Sequence, residues 1–404
     1  MLEFSFVTHS AKPEATLSKR ATAVPLLDLQ RQYRTIREEV LAAIERVCSS
    51  QQFILGAEVE EFEREIATFI GVPSAVGCAS GTDALWLMLV AAGVQPGNGV
   101  ITTAFSFFAS ASAIVRVGAR PVLVDIDPRT FNLDPEKVAA RLRSGGSHRI
   151  RALLPVHPYG QCADMDALQR LAEEFDLVII EDAAQAIGAR WRGRQAGSLG
   201  ITAAFSFYPT KNLSAFGDAG LATTVDAGLS EHMRHLRNHG SSQRYLHEEV
   251  GWNCRIDAIQ AAVLRVKLKY IKAWNEQRRE RAATYNRLFA EAGLSRAPTN
   301  VDGRSSVTLP QTSEHAHHVF HQYVIRAQRR DELRAFLVQR SIATGIYYPI
   351  PLHLQPCFAF LGYGEGDLPE AERASREVLA LPMFPELTES EQRWVVEAIA
   401  DFYS

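Results

Sequence analysis

Apolar residues recur at intervals of three and four through LDLQRQYRTIREEVLAAIERV, which predicts a helix over 30–49, and the same period returns over 58–69. Short apolar runs then alternate with helical periodicity. Residues 74–79 precede a helix from Thr82, 99–102 one around 110–117, 120–125 one near 135–143, and 150–156 one at 165–175. The apolar run 177–181 closes this series. Strands that are apolar throughout, each followed by a helix, predict an α/β domain with a largely parallel sheet.

From Ile256 to Ala292 the pattern reads as one long helical stretch with Arg, Lys and Glu on its outer face. Beyond it, a strand-like 318–327, a helix-like 331–340 and a final helix from Ser390 predict a smaller α+β domain. The expected organisation is a tail over 1–23, a large domain over 24–265 and a small C-terminal domain over 266–404.

Composition narrows the function classes. The chain has 404 residues, 47% apolar and 22% charged, enough for a large core in an ordinary globular protein. A net charge of −3 gives no broad attraction for nucleic acid or an anionic membrane, so any anionic ligand needs a local site. Five cysteines without CxxC spacing argue against a disulfide framework and a zinc site, and fit a reducing cytoplasm. Residues 1–23 lack the apolar segment of a secretion signal and read as a flexible tail or a docking arm.

Three stretches carry candidate chemistry. In ASGTDAL a strand ends, Ser80, Gly81 and Thr82 turn the chain, and a helix begins; its free N–H groups suit a phosphate, although a simply capped helix has the same sequence. In LVIIEDAAQAIGA an apolar strand delivers Glu181 and Asp182 at its carboxyl end, where open α/β sheets place their ligands. Asp182 suits a protonated ring nitrogen and Gln185 a phenolic oxygen, while a helix cap is the plainer use of the aspartate. In SFYPTKNLSAFGDAG, Lys211 lies among small, aromatic and turn-forming residues with no charge of opposite sign before Asp218. An amine in a dry site loses its proton readily and attacks aldehydes. Ser206 offers a hydroxyl to the same phosphate, Gly217 and Gly220 would turn the backbone away, and Phe107 in TTAFSFFAS can cover a flat ring.

In that order the motifs resemble the DegT/DnrJ group of nucleotide-sugar aminotransferases, which depend on pyridoxal phosphate. FILGAEVEEFE, VHPYGQCADMDAL, RNHG, GWNCRIDAIQAA, YYPIPLHLQP and LPMFPELTE extend the likeness from about Val24 to the C-terminus. The resemblance implies the fold type I aminotransferase architecture and an obligate homodimer. It makes Lys211 the lysine that joins the cofactor's aldehyde, with Asp182 on the pyridine nitrogen, Gln185 on the ring oxygen and Phe107 stacked on the ring. Gly81, Thr82, Asp83 and Ser206 would gather round the phosphate, and Asn253 would reach the phosphate in the partner subunit, making each active site composite. Tyr159, Tyr348 and His353 would border the substrate. The family's usual HLYG reads His157-Pro158-Tyr159-Gly160 here.

The implied reaction moves an amino group from L-glutamate to a ketosugar linked to dTDP or UDP. GTDAL, YYPIPLHLQP and LPMFPELTE look more like relatives acting on 3-keto than on 4-keto sugars. A sugar dehydratase on the same scaffold replaces the lysine with histidine, so Lys211 argues against it. A non-catalytic regulator would carry an added DNA-binding domain, for which the tail is too short. HAHHVFHQYVI reads as strand with no nearby carboxylate after Glu314, not as a metal site. The basic, aromatic run after Val263 interleaves Glu276 and Glu280 and reads as a solvated helix face.

Overall fold

The computed structural model describes residues 23–145, 148–294 and 306–404. Residues 1–22 of the expected tail lie outside the described residues. Helix α1 (Leu29–Ser50) is capped by Asp28, which accepts the N–H groups of Gln30 and Arg31, and buries the stripe Ile36, Val40, Ala43 and Val47. Helix α2 (Ala57–Ile70) ends at Gly71, whose φ of 84° continues the chain in a left-handed turn.

Seven strands follow: β1 (Ser74–Cys78), β2 (Gly99–Thr103), β3 (Arg120–Val124), β4 (Ile150–Leu154), β5 (Val178–Asp182), β6 (Thr202–Ser206) and β7 (Gly220–Thr224). They form one sheet in the order β1-β7-β6-β5-β4-β2-β3, parallel except for β7, which runs against both neighbours. Helices α3 (Gly81–Ala91), α4 (Ala109–Arg116), α5 (Pro135–Arg143), α6 (Met165–Glu174) and α7 (Ala227–Leu236) link or flank these strands. One core lies against each face of the sheet.

The strand series does not close at β5, as the sequence led us to expect. Strands β6 and β7 extend it, and their small residues Ala203, Ala204 and Gly220 hid them from an apolar-run reading. Nor is 256–292 one helix. It divides into α8 (Ala258–Leu268) and α9 (Ile271–Glu291) at Lys269 and Tyr270, whose N–H groups bond back three residues. The sequence keeps helical character across that turn, so periodicity cannot mark it.

Helix α9 joins two cores. Ile271 and Trp274 belong to the large one, while Ala282, Tyr285, Leu288 and Phe289 pack with the C-terminal elements and with Val24. Those elements are an antiparallel sheet of β8 (Val307–Thr308), β9 (Tyr323–Ala327) and β10 (Val378–Leu381), with α10 (Arg330–Gln339), α11 (Pro369–Glu377) and α12 (Glu389–Tyr403). Strand β9 is shorter than the expected 318–327. His318 stacks on Phe320 at 3.9 Å, and Phe320 takes a φ of 45°, which is incompatible with a strand.

Candidate active site

The register of the central sheet gathers the chemistry at one edge. Gly220 opens β7 opposite both Cys78 at the end of β1 and Ser206 at the end of β6, and Asp182 at the end of β5 pairs with Ala204. A Cβ on Gly220 would lie 2.2 Å from the Ser80 carbonyl carbon, and one on Gly81 would lie 2.8 Å from Ser206 Cβ. The two glycines therefore let three chain segments touch. Gly220 serves close approach and not the turn expected of it.

At the start of α3, Ser80 Oγ accepts the Asp83 N–H at 3.1 Å and donates to Asp83 Oδ2 at 2.9 Å. The other Asp83 oxygen receives Arg116 Nη1 at 3.0 Å. The Asp83 side chain is thus committed within the protein. A helix leaves its first N–H groups unpaired, here those of Gly81 and Thr82, which makes this end receptive to an anion. Ser206 is half-buried beside them, its hydroxyl 3.4 Å from the Tyr208 N–H.

The alternation of β5 separates two adjacent carboxylates. Glu181 is fully buried and accepts the N–H groups of Gly197, Leu199 and Gly200 at 2.9, 2.8 and 2.7 Å. It also meets His157 Nε2 at 3.0 Å; since His157 Nδ1 accepts the Ala163 N–H, Nε2 is the protonated nitrogen. Asp182, by contrast, bonds only neutral donors: Ser110 Oγ at 2.7 Å and the Ala184 N–H at 3.2 Å. Ser110 in turn meets Ser106 Oγ at 2.8 Å.

Lys211 follows a turn in which its N–H bonds the Tyr208 carbonyl at 2.8 Å. Its side chain is partly exposed along its length, but the protein packed around the amine lowers its pKa from 10.5 to about 8; the Asp182 charge opposes that shift. Beside it, Asn212 donates to Asn275 Oδ1 at 2.8 Å, so its own Oδ1 accepts from His321 Nδ1 at 3.1 Å. Burial, then the positive charges of Lys211 and Arg278, hold His321 well below the usual histidine range.

Gln185 Oε1 accepts the Tyr159 N–H at 2.6 Å and its Nε2 donates to the Tyr348 hydroxyl at 2.9 Å. Burial pushes the Tyr348 phenol up. The Tyr348 ring lies 6.2 Å from that of exposed Phe107, and Tyr159 reaches the Tyr347 carbonyl through its hydroxyl.

The structure therefore brings together Gly81, Thr82, Asp83 and Ser206 at one corner. Asp182, Lys211, Gln185, Tyr159, Tyr348 and Phe107 lie beyond it, joined by the contacts just described. His353 is not among them: it is buried, with Nε2 3.0 Å from Glu372 Oε1. Asn253 is exposed in a segment bridging Asn238. Ser106, Ser110 and His321 were missed by sequence reasoning. The serines stand four apart in sequence; nothing in the sequence ties His321 to Lys211.

The DegT/DnrJ/EryC1/StrS aminotransferase family matches residues 34–400. A "Pleiotropic regulatory protein" of Geobacillus stearothermophilus is 52% identical, covering 94% of this chain and 98% of its own. A "dTDP-3-amino-3,4,6-trideoxy-alpha-D-glucose transaminase" of Streptomyces venezuelae is 44% identical over 96% and 98% of the two chains. Among solved structures, ntda from Bacillus subtilis with bound cofactor pmp is 30% identical, with a TM-score of 0.84 over 94% of this chain and 84% of that one.

Proposed function

The chain belongs to the DegT/DnrJ/EryC1/StrS aminotransferase family, and from that premise we propose that it transfers an amino group from L-glutamate to a nucleotide-linked 3-keto hexose. The carrier nucleotide is dTDP or UDP, and the cofactor is pyridoxal phosphate. The observation that carries this reading is a desolvated lysine facing a carboxylate that has no cationic hydrogen-bond partner among the described residues.

The residues fit the cofactor. The close contacts at Gly81 and Gly220 leave a cradle for a phosphate, with the N–H groups of Gly81 and Thr82 and the Ser206 hydroxyl as donors. The Asp83 carboxylate, neutralised by Arg116, shapes that cradle from behind. Bound there, pyridoxal phosphate supplies an aldehyde that captures amines and a ring that accepts electrons.

With that group bound, Asp182 would hold a proton at the ring nitrogen, Gln185 would meet the ring oxygen and Phe107 would cover one face. Lys211 anchors the aldehyde between turnovers. Once freed by the amino donor, its desolvated amine would stand as the base towards the donor's α-carbon. Tyr159 and Tyr348 border the space left for donor and sugar in turn. Exposed Val250 and Trp252 precede exposed Asn253, which supports a homodimer in which Asn253 would serve the partner's cradle.

A second reading is favoured by one observation, the regulatory name of the 52% identical relative: a cofactor-binding regulator without turnover. Incubation with pyridoxal phosphate, glutamate and a set of dTDP- and UDP-linked 3-keto and 4-keto sugars separates the two. Release of 2-oxoglutarate with a 3-keto sugar is the expected result. Silence with every sugar would sink the sugar-aminotransferase reading, and turnover with 4-keto sugars alone would move the amination site.

A further inference from the structure

Helix α4 sits beside Asp182, and Ser110 in its first turn and Ser106 in the bend before it behave unusually. A serine in the first turns of a helix ordinarily bonds a carbonyl or N–H of its own chain segment. Ser110 instead sends its hydroxyl 2.7 Å to the Oδ2 of a residue 72 positions away. Ser110 is completely buried, Asp182 is 4% exposed and Ser106 is 5% exposed, so this bond is not traded for one to water.

The direction of the chain follows from chemistry. An ionised carboxylate only accepts, so Ser110 donates to Asp182. Its lone pairs then accept the Ser106 proton across the 2.8 Å contact. The resulting sequence, Ser106 to Ser110 to Asp182, is polarised towards the carboxylate, and each link strengthens the next. The second carboxylate oxygen has only the longer 3.2 Å contact with the Ala184 N–H, so it stays free to take a further donor. The titratable groups facing Asp182 are Lys211 and Tyr348.

Resting on the cofactor reading above, we propose that Ser110, backed by Ser106, is the positioning residue that fixes Asp182 for the ring nitrogen of pyridoxal phosphate. The serine pair holds one carboxylate oxygen so that the other is aimed at the ring. It also satisfies part of the negative charge, so the ring keeps its proton when it must draw electrons. A carboxylate that loses this donor swings more freely and pulls harder on the ring's proton.

The test compares Ser110→Ala, Ser110→Thr and Ser106→Ala with the unaltered chain, each loaded with pyridoxal phosphate. Two readouts are taken, the dissociation constant of the cofactor and the pH midpoint of the Lys211-dependent visible band. Loss of a hydrogen bond to a charged group predicts about tenfold weaker binding for Ser110→Ala. Its midpoint shifts to higher pH, because a less protonated ring withdraws less from the imine. Ser106→Ala shifts both in the same direction by less, and Ser110→Thr, which keeps the hydroxyl, restores both. If Ser110→Ala does not fold, the graded shift in Ser106→Ala decides the matter. An alanine variant with unchanged affinity and midpoint, or a threonine variant as impaired as alanine, would overturn this inference alone. Absence of any Lys211-dependent band in the unaltered chain would instead remove the cofactor reading and this inference with it.

Discussion

The Lys211 amine is desolvated and must stay reactive, and the two demands have a measurable cost. Its pKa falls from 10.5 to about 8, so between those values the unfolded chain binds more protons than the folded one. Stability of the cofactor-free protein therefore rises with pH through that window, and below about pH 8 the fold holds an unwelcome ammonium. Lys211→Met should stabilise the cofactor-free protein by about 2 kcal/mol at pH 7, with the gain shrinking towards pH 10. Urea unfolding at both pH values checks this; equal stability of variant and parent at pH 7 would contradict it. Sequence context made Lys211, Asp182 and Gln185 candidates, because a lone lysine among apolar neighbours and a carboxylate at a strand end are local features, and the family resemblance supplied their roles. What those groups bond was not legible. The Ser110 and His321 contacts join segments far apart in the chain, and no local pattern records them.

At the scale of elements, the end of β5 shows how alternation divides labour. Asp182 faces the site, and Glu181 holds the loop over 197–200 by three N–H groups and His157. Glu181→Ala leaves those buried donors without an acceptor, and a loss of about 3–5 kcal/mol in chemical denaturation is expected. A loss below about 1 kcal/mol would mean that the loop finds other partners. Gly220 works differently, by being small where β7 crosses the turn at Ser80. Gly220→Ala places a carbon 2.2 Å from that carbonyl carbon and forces backbone apart. We expect about 1–3 kcal/mol of destabilisation together with weakened retention of pyridoxal phosphate; normal retention would show that the cradle does not depend on this contact. Element type was legible wherever the apolar period was strong, as in α1 and α2. Strands β6 and β7 were not, since alanine and glycine fill a close-packed strand without announcing it.

The large sheet and the C-terminal elements are held in register through polar contacts that cross between them. Asp125, at the end of β3, accepts the N–H groups of Glu370 and Ala371 at the start of α11, at 3.0 and 2.8 Å, and pairs with Lys137 at 3.0 Å. Arg31 of α1 bonds Glu391 of α12, at 3.0 and 2.6 Å. These latches set Tyr348, from the C-terminal part of the chain, against Gln185 of the large sheet. The parallel sheet and the existence of a second, smaller unit were legible from alternation and length. The turn between α8 and α9 and the joining of two cores along α9 were not, because both depend on contacts made only after folding. The central claim is that this assembled site moves an amino group, and a single half-reaction tests it without any sugar. The protein loaded with pyridoxal phosphate is mixed with L-glutamate, and 2-oxoglutarate is counted per active site, with Lys211→Ala in parallel. The account predicts one 2-oxoglutarate per site and none from the variant. A loaded protein that binds glutamate yet releases no 2-oxoglutarate, or a variant that releases as much as its parent, would contradict it.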